Sequence, residues 1–263
     1  MRGAFMIPQQ LAGIISILLG LCLGSFLNVC IYRLPLKKSL IKPPSHCPAC
    51  GSPVRFYDNI PVISYLILGG RCRRCSQRIS LQYPLVEILA ACLSFFLFIR
   101  YGLSYQYLLF LVFFLALVTV SFIDLEHQII PDGIVLPGMV LGLGVSHFFP
   151  QMSFLDSLLG AVAGAGGLYL VAYMYEVLTG KEGMGFGDLN LLAMIGAWVG
   201  WKALPMIVFF SSFTGAIAGS AYLLLARKGL RVRIPFGPFL SLGTMIYVFF
   251  GRELMRFYLS LLY

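Results

Sequence analysis

The chain has 263 residues, 59% hydrophobic and only 11% charged, with a mean hydropathy of +0.90, which excludes a soluble globular domain. The fold class expected is an all-α polytopic membrane protein, with room for about eight spans of ~20 residues and one modest extramembrane segment. A net charge of +9 then concerns membrane topology and not nucleic acid, provided the lysines and arginines gather on one side of the lipid.

In chain order, Leu11 to Tyr32 carries no charge and is long enough to form the first span (domain 1–32). A cleaved signal peptide is the rival. Its basic region would be the single Arg2, and the apolar run exceeds the usual signal core without a small-residue cleavage site. Leu21 beside Cys22 also argues against a lipid-modified cysteine. The segment is expected to be retained.

Residues 33–80 change character, with nine Lys or Arg residues, several prolines and four cysteines in two pairs. Cys47-Pro48-Ala49-Cys50 and Cys72-Arg73-Arg74-Cys75 are separated by 21 residues, close to the spacing of a tetrahedral zinc site built from two knuckles. Gly51 after the first pair, and Gly69-Gly70 before the second, supply turns around the ion. Two disulfides or a redox motif are the alternatives. Disulfides need an oxidising compartment, whereas the basic residues place this loop in the cytoplasm. Four thiolates leave no open coordination position, so the zinc is read as structural. His46 is read as a neighbour of the cluster and not a ligand.

Gln82-Tyr83-Pro84 should open the second span, running to about Ile99, with proline tolerated in the first turn. Glu87 near its cytoplasmic end reads as an acid stabilised by the helix N-terminus or paired with a loop arginine. The remaining spans are expected over Tyr105 to Ile123, Ile134 to Phe149, Phe154 to Leu178, Leu189 to Gly200, Ala203 to Ala226, and Phe236 to about Phe257. The sixth is short. A cytoplasmic first loop puts the loops after spans 3, 5 and 7 on the same side. Fourteen basic residues then lie inside, including Lys181, Arg227, Lys228, Arg231 and Arg233. Arg2, Arg100, Lys202, Arg252 and Arg256 account for the rest of the 19, as the positive-inside rule requires.

That topology brings two acids to one face. Gly183-Met184-Gly185-Phe186-Gly187-Asp188 is a glycine-rich turn delivering Asp188 to the start of an apolar helix, and Asp124 closes the apolar run Ser121-Phe122-Ile123. An acid at a helix start is often only a partner for the helix dipole, and small residues often mark close helix packing. An ionisable group at the edge of a span is nonetheless a functional candidate. Two carboxylates a few ångströms apart share a proton and titrate as a unit. One can then take a proton from water while the other donates to a scissile carbonyl, which suits peptide hydrolysis without an acyl-enzyme. Gly185 and Gly187 would let backbone approach an extended substrate. Glu126 and Asp132 compete with Asp124, which is preferred because it terminates the apolar helix while Pro131-Asp132-Gly133 reads as the turn opening the next. His127 reads as polar loop, His46 belongs to the metal loop, and His147 falls on the opposite face.

Gly24-Ser25-Phe26-Leu27-Asn28-Val29-Cys30-Ile31-Tyr32-Arg33-Leu34-Pro35, the paired cysteines, Ile79-Ser80 with Tyr83-Pro84-Leu85-Val86-Glu87, Asp124 with Ile130-Pro131-Asp132, Gly185-Phe186-Gly187-Asp188, and Ile234-Pro235-Phe236-Gly237-Pro238-Phe239 together resemble the type IV prepilin peptidases. The resemblance covers nearly the whole chain, although the Gly-x-Gly-Asp element alone is shared with presenilin-like enzymes. It implies that Asp124 and Asp188 are catalytic and that the protein is a multi-pass protein of the bacterial inner membrane, working at the cytoplasmic face. The implied substrate is a type IV prepilin or type II secretion pseudopilin with a short basic leader. Cleavage after a glycine would be followed by methylation of the new amino terminus from S-adenosylmethionine. Zinc and the methyl donor are thus the expected cofactors, and pilin substrates and membrane lipids the partners. The four cysteines favour the bifunctional branch, with a peptidase lacking methyltransferase activity as runner-up, since no Rossmann-type glycine fingerprint is present. An ion-coupled transporter with glycine-broken helices is the reading from another class, against which stand the lack of an internal repeat and the single cysteine loop. The domain organisation expected is the first span, a metal loop over 33–80, and a catalytic helical domain over 81–263.

Overall fold

The computed structural model describes residues 8–149, 152–180, 185–226 and 234–262. Among them are nine α-helices: α1 (Gln9–Arg33), α2 (Ile63–Ile67), α3 (Gln82–Tyr101), α4 (Tyr105–His127), α5 (Asp132–Val145), α6 (Phe154–Thr179), α7 (Phe186–Val199), α8 (Leu204–Ala226) and α9 (Gly237–Leu262). No strand occurs among the described residues, only two isolated bridges, His46 with Pro53 and Arg71 with Arg78. This is an all-α polytopic membrane protein. Helices α1, α3, α4 and α6 and the stretch Trp201–Tyr222 are long and apolar enough to cross a bilayer, while Asp132–Phe148 and α7 are apolar but shorter. The 14 residues of α7 reach ~21 Å, short of a ~30 Å hydrocarbon core.

Each expected span appears as a helix, with shifted ends. The largest shift that bears on the site is in α4, which continues past Ile123 to His127, so that Asp124 lies about one turn inside the helix and does not terminate it. Leu125, Glu126 and His127 offer no helix breaker. The helix stops where Gln128 turns to φ 53° and donates its N–H to the Asp124 carbonyl, a left-handed cap. Helix α6 starts on a capping box, with Ser153 and Asp156 exchanging side-chain and backbone hydrogen bonds, and ends at Gly180 with φ 67°. Lys181, Gly183, Met184 and the basic residues Arg227, Lys228, Arg231 and Arg233 lie outside the described residues.

Residues 1–119 and 120–263 form two compact units. In the first, α1 packs on α3 through glycines that leave no room for a side chain. A Cβ on Gly20 would stand 2.6 Å from the Ala91 Cα, and one on Gly24 2.7 Å from the Glu87 Cα. Such close backbone approach is how membrane helices gain packing where lipid supplies no hydrophobic drive. Buried hydroxyls satisfy one another across the same seam: Ser94 donates to the Ser16 carbonyl at 2.6 Å and lies 2.7 Å from the Tyr107 hydroxyl. Asn28 donates to the Tyr83 carbonyl.

In the second unit α7 is the central element, buried from Leu191 to Trp198. Gly160 of α6 and Gly196 of α7 meet backbone to backbone, and a Cβ on Gly164 would lie 2.5 Å from the Leu192 carbonyl oxygen. Ser157 donates to the Ala197 carbonyl at 2.6 Å. On another side, Gly142 of α5 receives the Trp198 ring, whose Nε1 donates to the Gly138 carbonyl at 2.8 Å. These contacts hold α7 from Leu192 onward against α5 and α6, with Asp188 in the turn that precedes the held part.

Candidate functional site

Helix α7 opens at Gly185, and Asp188 stands in its first turn, half-buried, with its N–H donated to the Gly185 carbonyl at 3.2 Å. Asp124 is 5% exposed. Its Oδ2 accepts the Gly237 N–H at 3.0 Å, so this carboxylate rests on the first residue of α9, where the unpaired N–H groups of a helix favour negative charge. The turn that carries Asp188 and the seat of Asp124 share one neighbour, Ile130. Ile130 completes the enclosure. Its Cδ1 would lie 3.5 Å from a Cβ on Gly237, and its Cβ 2.9 Å from a Cβ on Gly187. Gly187 and Gly237 thus let the starts of α7 and α9 close on Ile130 beside Asp124.

The rival acids are placed elsewhere. Asp132 heads α5 and accepts a hydrogen bond from Asn190 at 3.2 Å, which ties α5 to α7 on an exposed edge. Glu126 is exposed and lies 3.8 Å from His127 Nε2. His46 turns its Nδ1 toward the Pro44 carbonyl at 3.1 Å, and His147 sits in a short 3-10 turn after α5. Gly237 is the contributor that sequence reasoning did not single out. Its only signal was a glycine set between prolines at a helix start, because the contact itself joins residues 113 apart.

The cysteines form a second site. The sulfurs of Cys47, Cys50, Cys72 and Cys75 all lie within 4.8 Å of one another, a set able to hold a metal ion. All seven cysteines carry free thiols in this structure. The two knuckles repeat one backbone pattern. Gly51 N–H donates to the Cys47 carbonyl and Cys47 N–H to that of Ser52, as Ser76 N–H donates to Cys72 and Cys72 N–H to Gln77. Gly51 and Ser76 hold equivalent places with φ 66° and 56°, so the left-handed turn of the second knuckle falls on Ser76, while Gly69 and Gly70 bend the chain before it. Hydrogen bonds from Ser52 lower the pKa of the Cys50 thiol to about 6, while, against a hydrogen bond at Gln77, desolvation and the neighbouring thiols raise that of Cys75 to about 11, so the thiolate that binds metal is favoured first at Cys50. Among the described residues Glu87 forms no ion pair with a loop arginine. It is buried and accepts the Val62 N–H at 2.7 Å. Arg73 instead grips Asp58 through Nε and NH2, at 3.0 and 2.6 Å.

Fold and site together define a class, the multi-pass helical membrane proteins that keep carboxylates near their helix ends. Within it, this chain belongs to the type IV leader peptidase family: residues 111–220 match that family, and residues 18–101 match the bacterial peptidase A24 N-terminal domain. It is 40% identical to a prepilin leader peptidase/N-methyltransferase of Pseudomonas putida, over 94% of each chain. A protein of the same name from Pseudomonas aeruginosa is 41% identical over 93% of this chain and 92% of its own. Another from Myxococcus xanthus is 42% identical over 78% of this chain and 62% of its own. No solved structure matches the chain.

Proposed function

We propose that this protein is a prepilin leader peptidase and N-methyltransferase of the bacterial inner membrane, with Asp124 and Asp188 as the catalytic pair. The observation that carries the reading is that Asp124, buried on the Gly237 N–H, shares the neighbour Ile130 with the Gly187-Asp188 turn, in a chain alike over most of its length to enzymes of that name. The substrate is a type IV prepilin or type II secretion pseudopilin, cut after a glycine of its basic leader at the cytoplasmic face. The work divides among the first span (1–32), the metal loop (33–80) and the catalytic helices (81–263).

The chemistry follows from a pair that shares one proton. The ionised carboxylate takes a proton from a water molecule, whose oxygen adds to the scissile carbonyl carbon while the protonated carboxyl donates to the carbonyl oxygen. The tetrahedral intermediate collapses as the first carboxyl gives its proton to the leaving nitrogen, the C–N bond breaks, and the second carboxylate takes back the proton of the hydroxyl formed from the carbonyl oxygen, which restores the pair with its one proton. Gly237 N–H fixes one carboxylate throughout. Gly185 and Gly187 present backbone without side chains to an extended peptide.

The metal held by Cys47, Cys50, Cys72 and Cys75 is zinc in this reading. A Zn–S bond of ~2.3 Å in a tetrahedron sets sulfurs ~3.8 Å apart, and the Cys47 and Cys75 sulfurs are 3.8 Å apart. With four sulfur ligands its part is to order the loop. S-adenosylmethionine supplies the methyl group.

Purified protein incubated with a prepilin peptide and S-adenosylmethionine, followed by mass spectrometry, tests the reading. The expected products are the free leader and a shortened peptide 14 Da heavier than the bare cleavage product, the increment of about one methylene. An intact peptide would overturn the peptidase, and a cleaved but unmethylated one would leave a peptidase alone.

A further inference from the structure

Between α1 and α3 the chain presents an apolar face on α2 and exposed arginines in and beside the second knuckle, side chains that neither peptide cleavage nor metal ligation uses. Ile63, Leu66 and Ile67 share one face of α2 and are 52%, 70% and 74% exposed, an unusual load of bare apolar surface outside a span. Close by in sequence, Arg71, Arg74 and Arg78 are exposed. Residues 33–80 hold nine cations against the single acid Asp58, which Arg73 already binds.

The depth of α2 is set by one hydrogen bond. Val62, which precedes it, adopts φ 60°, a costly conformation for a β-branched residue, and its N–H is held by Glu87 at 2.7 Å. Glu87 is five residues into α3, ~7.5 Å along the axis, and helix side chains lean back toward the N-terminus. Ser25 of α1 bonds to the same carboxylate. The start of α2 is therefore pinned level with the first turns of a membrane span, at headgroup depth. Apolar side chains at that depth with arginines just beyond are the pattern of an element lying in the bilayer interface, above anionic lipid.

We propose that α2 and the basic knuckles form an interfacial module, with Ile63, Leu66 and Ile67 seated among acyl chains and Arg71, Arg74 and Arg78 on anionic phospholipid headgroups. A basic leader is repelled by the same cations, so the leader is not the occupant. Glu87 is the positioning residue that holds the module down.

The test uses the full chain reconstituted in vesicles of phosphatidylethanolamine alone or with phosphatidylglycerol, comparing Leu66→Trp, and separately Ile67→Trp, with the parent for added indole fluorescence. The added signal should be blue-shifted and quenched by lipids brominated near the headgroup, more strongly with phosphatidylglycerol. Changing Arg71, Arg74 and Arg78 to Gln in the Leu66→Trp background should remove the phosphatidylglycerol preference, each lost cation lowering the docked-to-free ratio about fivefold. Glu87→Ala should reduce quenching in both lipids, and Glu87→Gln, which keeps an acceptor for Val62, should restore part of it. Emission typical of water and unresponsive to brominated lipid at both positions would overturn the proposal. So would quenching protection that appears only when a prepilin peptide is added, since that assigns the face to substrate.

Discussion

A hydrogen is the largest group that fits on Gly237, because a Cβ there would stand 2.7 Å from Asp124 Oδ2. The Asp124 carboxylate can swing away from a methyl group, but only by leaving its hydrogen bond. Gly237→Ala should therefore lower cleavage by about 10²-fold, the scale of a catalytic group misplaced by ~1 Å, with thermal unfolding nearly unchanged; parental cleavage rates would show that Asp124 needs no such seat. Asp132→Ala should cost far less, since that acid is engaged with Asn190 at an exposed edge. The two aspartates and the four cysteines were legible as residues, because acids are scarce in this chain and the cysteine spacing is distinctive. Gly237, Glu87 and Ser76 were not legible in their roles. Their parts depend on partners brought from elsewhere in the chain or on a backbone angle that residue type does not announce, and Ser76 in a left-handed turn is the clearest case.

Among elements, α7 depends on its glycine seam. Gly196 meets Gly160 backbone to backbone, so Gly196→Val should destabilise the detergent-solubilised protein by ~1–3 kcal/mol or more. Gly166 of α6 faces open space, and Gly166→Ala should be neutral or stabilising by up to ~1 kcal/mol. Calorimetry of the two variants checks the contrast, which vanishes if the seam is not tight. For the knuckles, metal analysis should find about one zinc per chain, lost in Cys47→Ser or Cys72→Ser. Cys50→Ser and Cys75→Ser should impair methylation more than cleavage at matched protein levels, because the carboxylate chemistry needs only helices and water. Equal loss of both products would leave the loop a purely structural part. Helix existence was readable from apolar runs, whereas ends were not. The α4 terminus is set by the turn at Gln128, and α2 is too short to leave a periodic signature among prolines and glycines.

For the whole molecule, composition alone gave the class, since 11% charge and 59% hydrophobic residues leave no alternative to lipid as solvent. The five helices that meet length and apolarity among the described residues and the shorter α5 and α7 agree with a protein whose site is built where spans end. The central claim is that Asp124 and Asp188 act as one device within that frame. Its most direct test is a double-mutant cycle on prepilin cleavage by the full-length protein in detergent. Asp124→Ala and Asp188→Ala should each reduce the rate by roughly 10³-fold or more, and the double variant should be hardly slower than either, as for residues that work as a unit. Near-parental cleavage by Asp124→Ala, or effects of the two substitutions that multiply in the double variant, would contradict the account.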